Sequence, residues 1–208
     1  MNADSVKDML ASDDLLERIR GINRINELPS TSERVETLIK ISTGDVNQQV
    51  RYAAVSRLSN MDRASLSEED KEKLLTAARF VLVNDSESSC QSAAADLIAA
   101  LRLYEGFDDL VDTFNSTSDW MLKFSIAAGL GEMGDAKAFD FLVSILDGES
   151  SNESLLITAA IGSIGELGDE RGLPIVERYL ENEDKSVRER AKIARAMLLK
   201  KGAGEESI

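Results

Sequence analysis

The chain has 208 residues, 43% hydrophobic and 30% charged, enough for one medium domain or two small ones with a packed core. Its 38 acidic against 24 basic side chains leave a net charge of −14, a poor surface for phosphate backbones or anionic lipid, so neither nucleic acid nor membrane insertion is expected. No histidine is present, which excludes Ser-His and Cys-His nucleophiles and His-ligated zinc, and the single Cys90 cannot close an intrachain disulfide.

No apolar run reaches the roughly 20 residues of a membrane span, and "MNADSVKDML" lacks a signal peptide's basic start and apolar core. A soluble protein of a reducing, cytoplasmic compartment is expected. Two prolines among abundant Ala, Leu, Glu and Lys point to helix throughout.

In chain order, one nine-residue pattern recurs: apolar first, often basic second, small fifth, apolar ninth. A weak copy, "ERIRGINRI", begins at Glu17. Fuller copies are "VRYAAVSRL" from Val50, "CQSAAADLI" from Cys90, "LKFSIAAGL" from Leu122, "LITAAIGSI" from Leu156 and "VRERAKIAR" from Val187. Successive copies start 33, 40, 32, 34 and 31 residues apart, the long step being absorbed by a polar loop, "SNMDRASLSEED", at 59–70. Positions one, five and nine share one face of a helix, so they are the expected core. The small fifth residue (Gly21, Ala54, Ala94, Ala160, Ala191) admits a neighbouring helix, and Ile126 breaks that rule.

A second amphipathic stretch precedes each full copy: "ERVETLIKI", "KEKLLTAARFVLV", "FDDLVDTF", "AFDFLVSIL" and "PIVERYL". Ser30 and Glu33 are spaced as a capping box, and Pro174 suits a first helical turn. A pair of helices this short cannot bury its apolar faces alone, whereas stacked pairs share a continuous core. The expectation is an all-α, right-handed α-solenoid of about six helix pairs. It forms a single repeat domain over 1–200, with the first and last pairs as caps and a disordered tail at 201–208.

Several motifs are weighed against that scaffold. "GLGEMG" (Gly129, Gly131, Gly134) matches a dinucleotide-binding fingerprint in letters, but a helical pattern precedes it where a strand is needed. Gly134 and Gly168 instead suit left-handed helix ends. "DGESSNES" at 147–154 lacks the length and terminal Glu of a calcium loop, so no metal site is expected. The carboxylates of "EGFDDLVD" read as an exposed helix face, and Cys90 as a core residue with no basic residue beside it in sequence to activate it. No compact acid–base constellation stands out, so no catalytic residue is assigned.

Trp120 and Phe124 are harder to assign to packing. Spaced i, i+4, they lie with Gly131 opposite core positions one, five and nine; Tyr52, Thr158 and Gly165 occupy the same face in other copies. If second helices line a concave surface, these residues form a shallow, partly aromatic groove edged by Arg51, Asp119 and Lys123. The alternative is that Trp120 folds under its loop as a staple. Both readings stand at this point.

The loop acid before the second helix (Asp45, Asp85, Asp119, Asp184), the basic residue after it (Arg51, Lys123, Arg188) and "GELGDERGLPIVERYL" resemble HEAT repeats. More narrowly, the chain resembles the HEAT-like repeats of phycobilin lyases and NblB-type phycobilisome-degradation proteins of cyanobacteria, over roughly 15–199. Gln91 and Ile157 depart from the pattern and interrupt any Asp–Arg ladder. The resemblance implies a non-catalytic scaffold whose concave face holds a phycobiliprotein, with no cofactor required. A bilin or other tetrapyrrole is a possible ligand, Asp119 meeting pyrrole nitrogens and Lys123 or Arg51 the propionates. A subunit of a bilin lyase and a general assembly adaptor are the alternatives.

Overall fold

The computed structural model describes residues 3–148 and 154–205, and among them every regular element is helical. The chain divides into two compact units, Met1–Gly106 and Phe107–Ile208. Each holds three helix pairs, so the six expected pairs are present.

In the first unit α1 (Ala3–Leu10) pairs with α2 (Leu15–Asn23), α3 (Thr31–Gly44) with α4 (Gln48–Ser59), and α5 (Glu68–Asn84) with α6 (Ser88–Ala100). In the second, α7 (Phe107–Ser116) pairs with α8 (Trp120–Met133), α9 (Ala138–Asp147) with α10 (Ser154–Leu167), and α11 (Gly172–Glu177) with α12 (Lys185–Glu205). Second helices also pack on one another in sequence order within each unit, α2 on α4 on α6 and α8 on α10 on α12. This is solenoid stacking, in which each pair buries its faces against its neighbours.

The helical faces fall where the nine-residue pattern places them. Val50, Ala54 and Leu58 are buried on α4, as are Cys90, Ala94 and Ile98 on α6. Leu122, Ile126 and Leu130 on α8 and Leu156, Ala160 and Ile164 on α10 follow the same rule. Burying each large aliphatic of this set contributes roughly 1.5–3 kcal/mol, which fixes the rotation of every second helix.

Caps set the boundaries. The Ser30 Oγ accepts the Glu33 N–H, but the reciprocal half of the expected box is replaced by an ion pair from Glu33 to Lys7 at 2.8 Å. The complete capping box is Ser67 with Asp70 at the start of α5. Asp70 is therefore helical, and the segment before it, read as a plain loop, holds a short 3-10 turn at Arg63–Ser65. Gly134 (φ 73°) and Gly168 (φ 69°) end α8 and α10 in the left-handed region, as expected. Lys201 donates to the carbonyls of Glu166 and Leu167 at the second of these ends. α11 starts two residues before Pro174, and α12 runs on to Glu205, into the segment expected to be a disordered tail.

Candidate functional site

The second helices α2, α4, α6, α8 and α12 are entered through an acidic residue that turns the backbone. The Asp119 carboxylate accepts the N–H groups of Met121 and Leu122, holding open the first turn of α8. Asp45, Asp85 and Asp184 accept the N–H two residues on, at 2.8, 3.0 and 2.7 Å. In the first unit these acids also meet the arginine of the preceding copy. Arg18 pairs with Asp45 at 2.9 Å, and Arg51 forks onto Asp85 at 2.7 and 2.9 Å while its third nitrogen donates to the Asp45 carbonyl. The ladder stops where Gln91 replaces the arginine and donates instead to the Leu82 carbonyl.

The Arg51–Asp85 pair is nearly enclosed, with 16% and 5% of the side chains exposed. Burial alone would raise the Asp85 pKa. The Arg51 hydrogen bonds, the Glu87 N–H and the Arg51 charge outweigh burial and hold it below the ordinary carboxylate value. Next to this pair Cys90 is fully buried, and burial, with the Asp85 charge, pushes its thiol up to about 11. It is a core residue with its sulfur protonated, as its place in the pattern implies.

The residues expected to edge a groove are therefore committed elsewhere. Arg51 belongs to the ladder and Asp119 to a helix cap, and the Lys123 ammonium sits 5.1 Å from the centre of the Phe114 ring. Gly131 and Gly165, expected on the open face, are buried at helix crossings. A Cβ on Gly131 would lie 2.6 Å from the Ser163 Cα, and one on Gly165 would lie 2.8 Å from the Ala194 Cα. Period counting put both glycines opposite the core; what it could not show is that a neighbouring second helix covers that flank. Gly129, also buried, lies within α8, so the glycine-rich string runs along a helix into its cap and presents no phosphate cradle.

The aromatics do reach solvent. Trp120 is 51% exposed and Phe124 36%, and the staple, which needs a buried indole, does not form. Thr158 is partly buried and donates to the Ser154 carbonyl one turn back. Tyr52, 47% exposed, is on α4 of the first unit. On α8 and α10 two further exposed apolar residues were passed over in the sequence: Met121 (46%) beside Trp120, and its counterpart Leu155 (54%) on α10. Their signal was available, since both immediately precede the buried first position of their copies. The face thus consists of Trp120, Met121 and Phe124 on α8 with Leu155 on the adjoining α10.

A concavity of about 710 Å³ runs between α3 and α5 and was not anticipated. Ile39, Ala77 and Phe80 line it, and Lys73 closes its charged rim by bridging Glu36 and Glu69 at 2.8 and 2.9 Å. The acidic residues of "DGESSNES" lie largely outside the described residues; Asp147, which is described, pairs with Arg178 at 3.1 Å. No group of three or more potential metal ligands occurs among the described residues, and no helix there is long and apolar enough to cross a membrane.

The stacked helix pairs define an all-α solenoid of HEAT-like helix pairs. An engineered protein of known structure superposes with a TM-score of 0.51 at 19% identity, over 96% of this chain and 98% of its own. A designed armadillo repeat protein aligns with a TM-score of 0.48 at 18% identity, covering 93% and 98% of the two chains. A microtubule polymerase with tumor overexpressed gene domain arrays, described in connection with tubulin recruitment, aligns at 0.49 and 14% identity over 92% of this chain and 45% of that one. No family model matches the sequence, and no curated protein matches it.

Proposed function

We propose that the chain is a non-catalytic scaffold that binds a protein partner through the α8–α10 face. The observation carrying this reading is the exposure of Trp120, Met121, Phe124 and Leu155 on adjoining helices whose other large apolar residues, the half-buried Leu167 apart, are buried. An exposed apolar cluster on a rigid helical stack is the surface at which burial by a partner yields most free energy.

Within this reading a phycobiliprotein is the partner that the resemblance in "GELGDERGLPIVERYL" favours, in phycobilisome turnover or assembly. A bilin or other tetrapyrrole would stack on Trp120 and Phe124. The cap role of Asp119 and the ring contact of Lys123 weigh against a pigment pocket built on those two residues. Lyase activity has no supporting observation beyond the same resemblance.

Trp120 is the sole tryptophan, so it reports on the face directly. Its emission is expected to be red-shifted in the free protein and to change on titration with phycobiliprotein. Free bilin should have a weaker effect. Replacing Trp120 and Phe124 together by alanine should weaken binding by roughly 1–3 kcal/mol while leaving the melting temperature nearly unchanged, since both side chains are exposed. Emission that is blue-shifted and unmoved by any partner sinks the reading.

A further inference from the structure

The exposed apolar residues of α8 and α10 have a polar counterpart further along the same helices. Met121 and Glu132 are eleven residues apart, as are Leu155 and Glu166, and eleven residues are very nearly three helical turns. Each helix therefore carries an exposed apolar side chain and, about 16 Å along the same face, an exposed glutamate. Gly131 of α8 packs against Ser163 of α10, two residues before Gly165, which brings Glu132 close to the turn of α10 that carries Glu166. Both glutamates are exposed, and they are near enough for the Glu132 charge to act on Glu166.

Among the described residues neither Glu132 nor Glu166 forms a salt bridge or a side-chain hydrogen bond. Arg190 of α12 lies along α10, its carbon chain 3.3 Å from where a Cβ on Gly162 would be, and it acts on Glu166 only through space. Partial screening from water and the charge of Glu132 push the Glu166 pKa up against that attraction. The carboxylate pair is the part of this face at which an added positive charge gains most.

Resting on the reading of this face as a docking surface, we propose that its partner is an amphipathic helix. Its apolar side chains cover Met121, Phe124 and Leu155, and a lysine or arginine about three turns away meets Glu132 and Glu166. Apolar burial supplies the affinity, and the carboxylate pair sets orientation and rejects acidic helices.

Three synthetic helical peptides of about 18 residues test this on the full chain, read by Trp120 emission and by anisotropy of a labelled peptide. All share an apolar stripe at i, i+4, i+7, followed three turns from its first residue by two Arg, two Gln or two Glu. The Arg peptide should bind about tenfold more tightly than the Glu peptide at low salt, and the gap should narrow as salt is added. The double variant Glu132→Gln, Glu166→Gln should bring that ratio below about threefold without changing affinity for the Gln peptide. Equal binding of all three peptides, a preference that survives the double variant, or no binding at all overturns the proposal. Charge-indifferent binding that disappears in Met121→Ala, Phe124→Ala refutes the basic helix alone. Binding untouched by those two replacements refutes the docking face itself.

Discussion

The crossing of α8 over α10 allows the same substitution to be tested with opposite outcomes at two glycines. In Gly131→Ala the new Cβ meets the Ser163 Cα at 2.6 Å and its Cβ and Oγ at 2.7 Å, where ordinary contact begins near 3.4 Å. Backbone cannot swing aside as a side-chain tip can, so the helices must part by most of an ångström. Such overpacking costs about 1–3 kcal/mol. Parting them also strains the hydrogen bond that the buried Ser163 Oγ donates to the Ala127 carbonyl at 2.7 Å, and losing it costs about 1–3 kcal/mol more. Against this, alanine for glycine in a helix gains only about 1 kcal/mol. The net expectation is a loss of about 3 kcal/mol. Gly44→Ala, at the end of α3, has no atom within 4 Å of its new Cβ and keeps only the helix gain, so it should be neutral or stabilising by up to about 1 kcal/mol. Urea unfolding followed by far-ultraviolet circular dichroism measures both, as midpoint shifts at constant slope. If Gly131→Ala stabilises as much as Gly44→Ala, the close crossing is wrong.

Two further outcomes follow from the ladder and its neighbour. Asp85→Asn leaves the nearly enclosed Arg51 without its counter-charge and should cost about 3 kcal/mol at neutral pH. Because the Asp85 pKa is depressed on folding, its contribution is complete above the ordinary value of about 4 and lost as pH falls through the lower folded value. The variant should therefore show a shallower acid limb than the parent, and identical limbs would refute the assignment. Cys90, buried with its thiol near 11, should resist thiol reagents at pH 8 until urea unfolds the chain. Rapid stoichiometric labelling of the native protein would place it outside the core.

The helix pairs were legible because their signal is local and repeated. Position five of the nine-residue pattern must be small where helices approach, and Ala54, Ala94, Ala160 and Ala191 are all fully buried. Even the exception is informative: Ile126 is equally buried, so that crossing accommodates a larger side chain. The left-handed ends at Gly134 and Gly168 were legible for the same reason, since a cap depends on its own turn.

The candidate site was legible only in part. Trp120 and Phe124 could be placed off the core face by counting, because 100° per residue fixes direction about one helix axis. Counting cannot show which flank the next helix covers, and so Gly131 and Gly165 were put on an open face when they are buried crossings. Nor could it foresee that Lys123 would be drawn to the Phe114 ring, or that the ladder would enclose Arg51 and Asp85 almost fully. The sequence by itself determined the helices, their inward faces and their order, all of which follow from periodicity within a single turn or copy. Only tertiary structure decided which charges are consumed by ladders and caps, and which carboxylates and aromatics remain available. Those outcomes depend on competition between side chains far apart in the chain, settled by distances of a few ångströms.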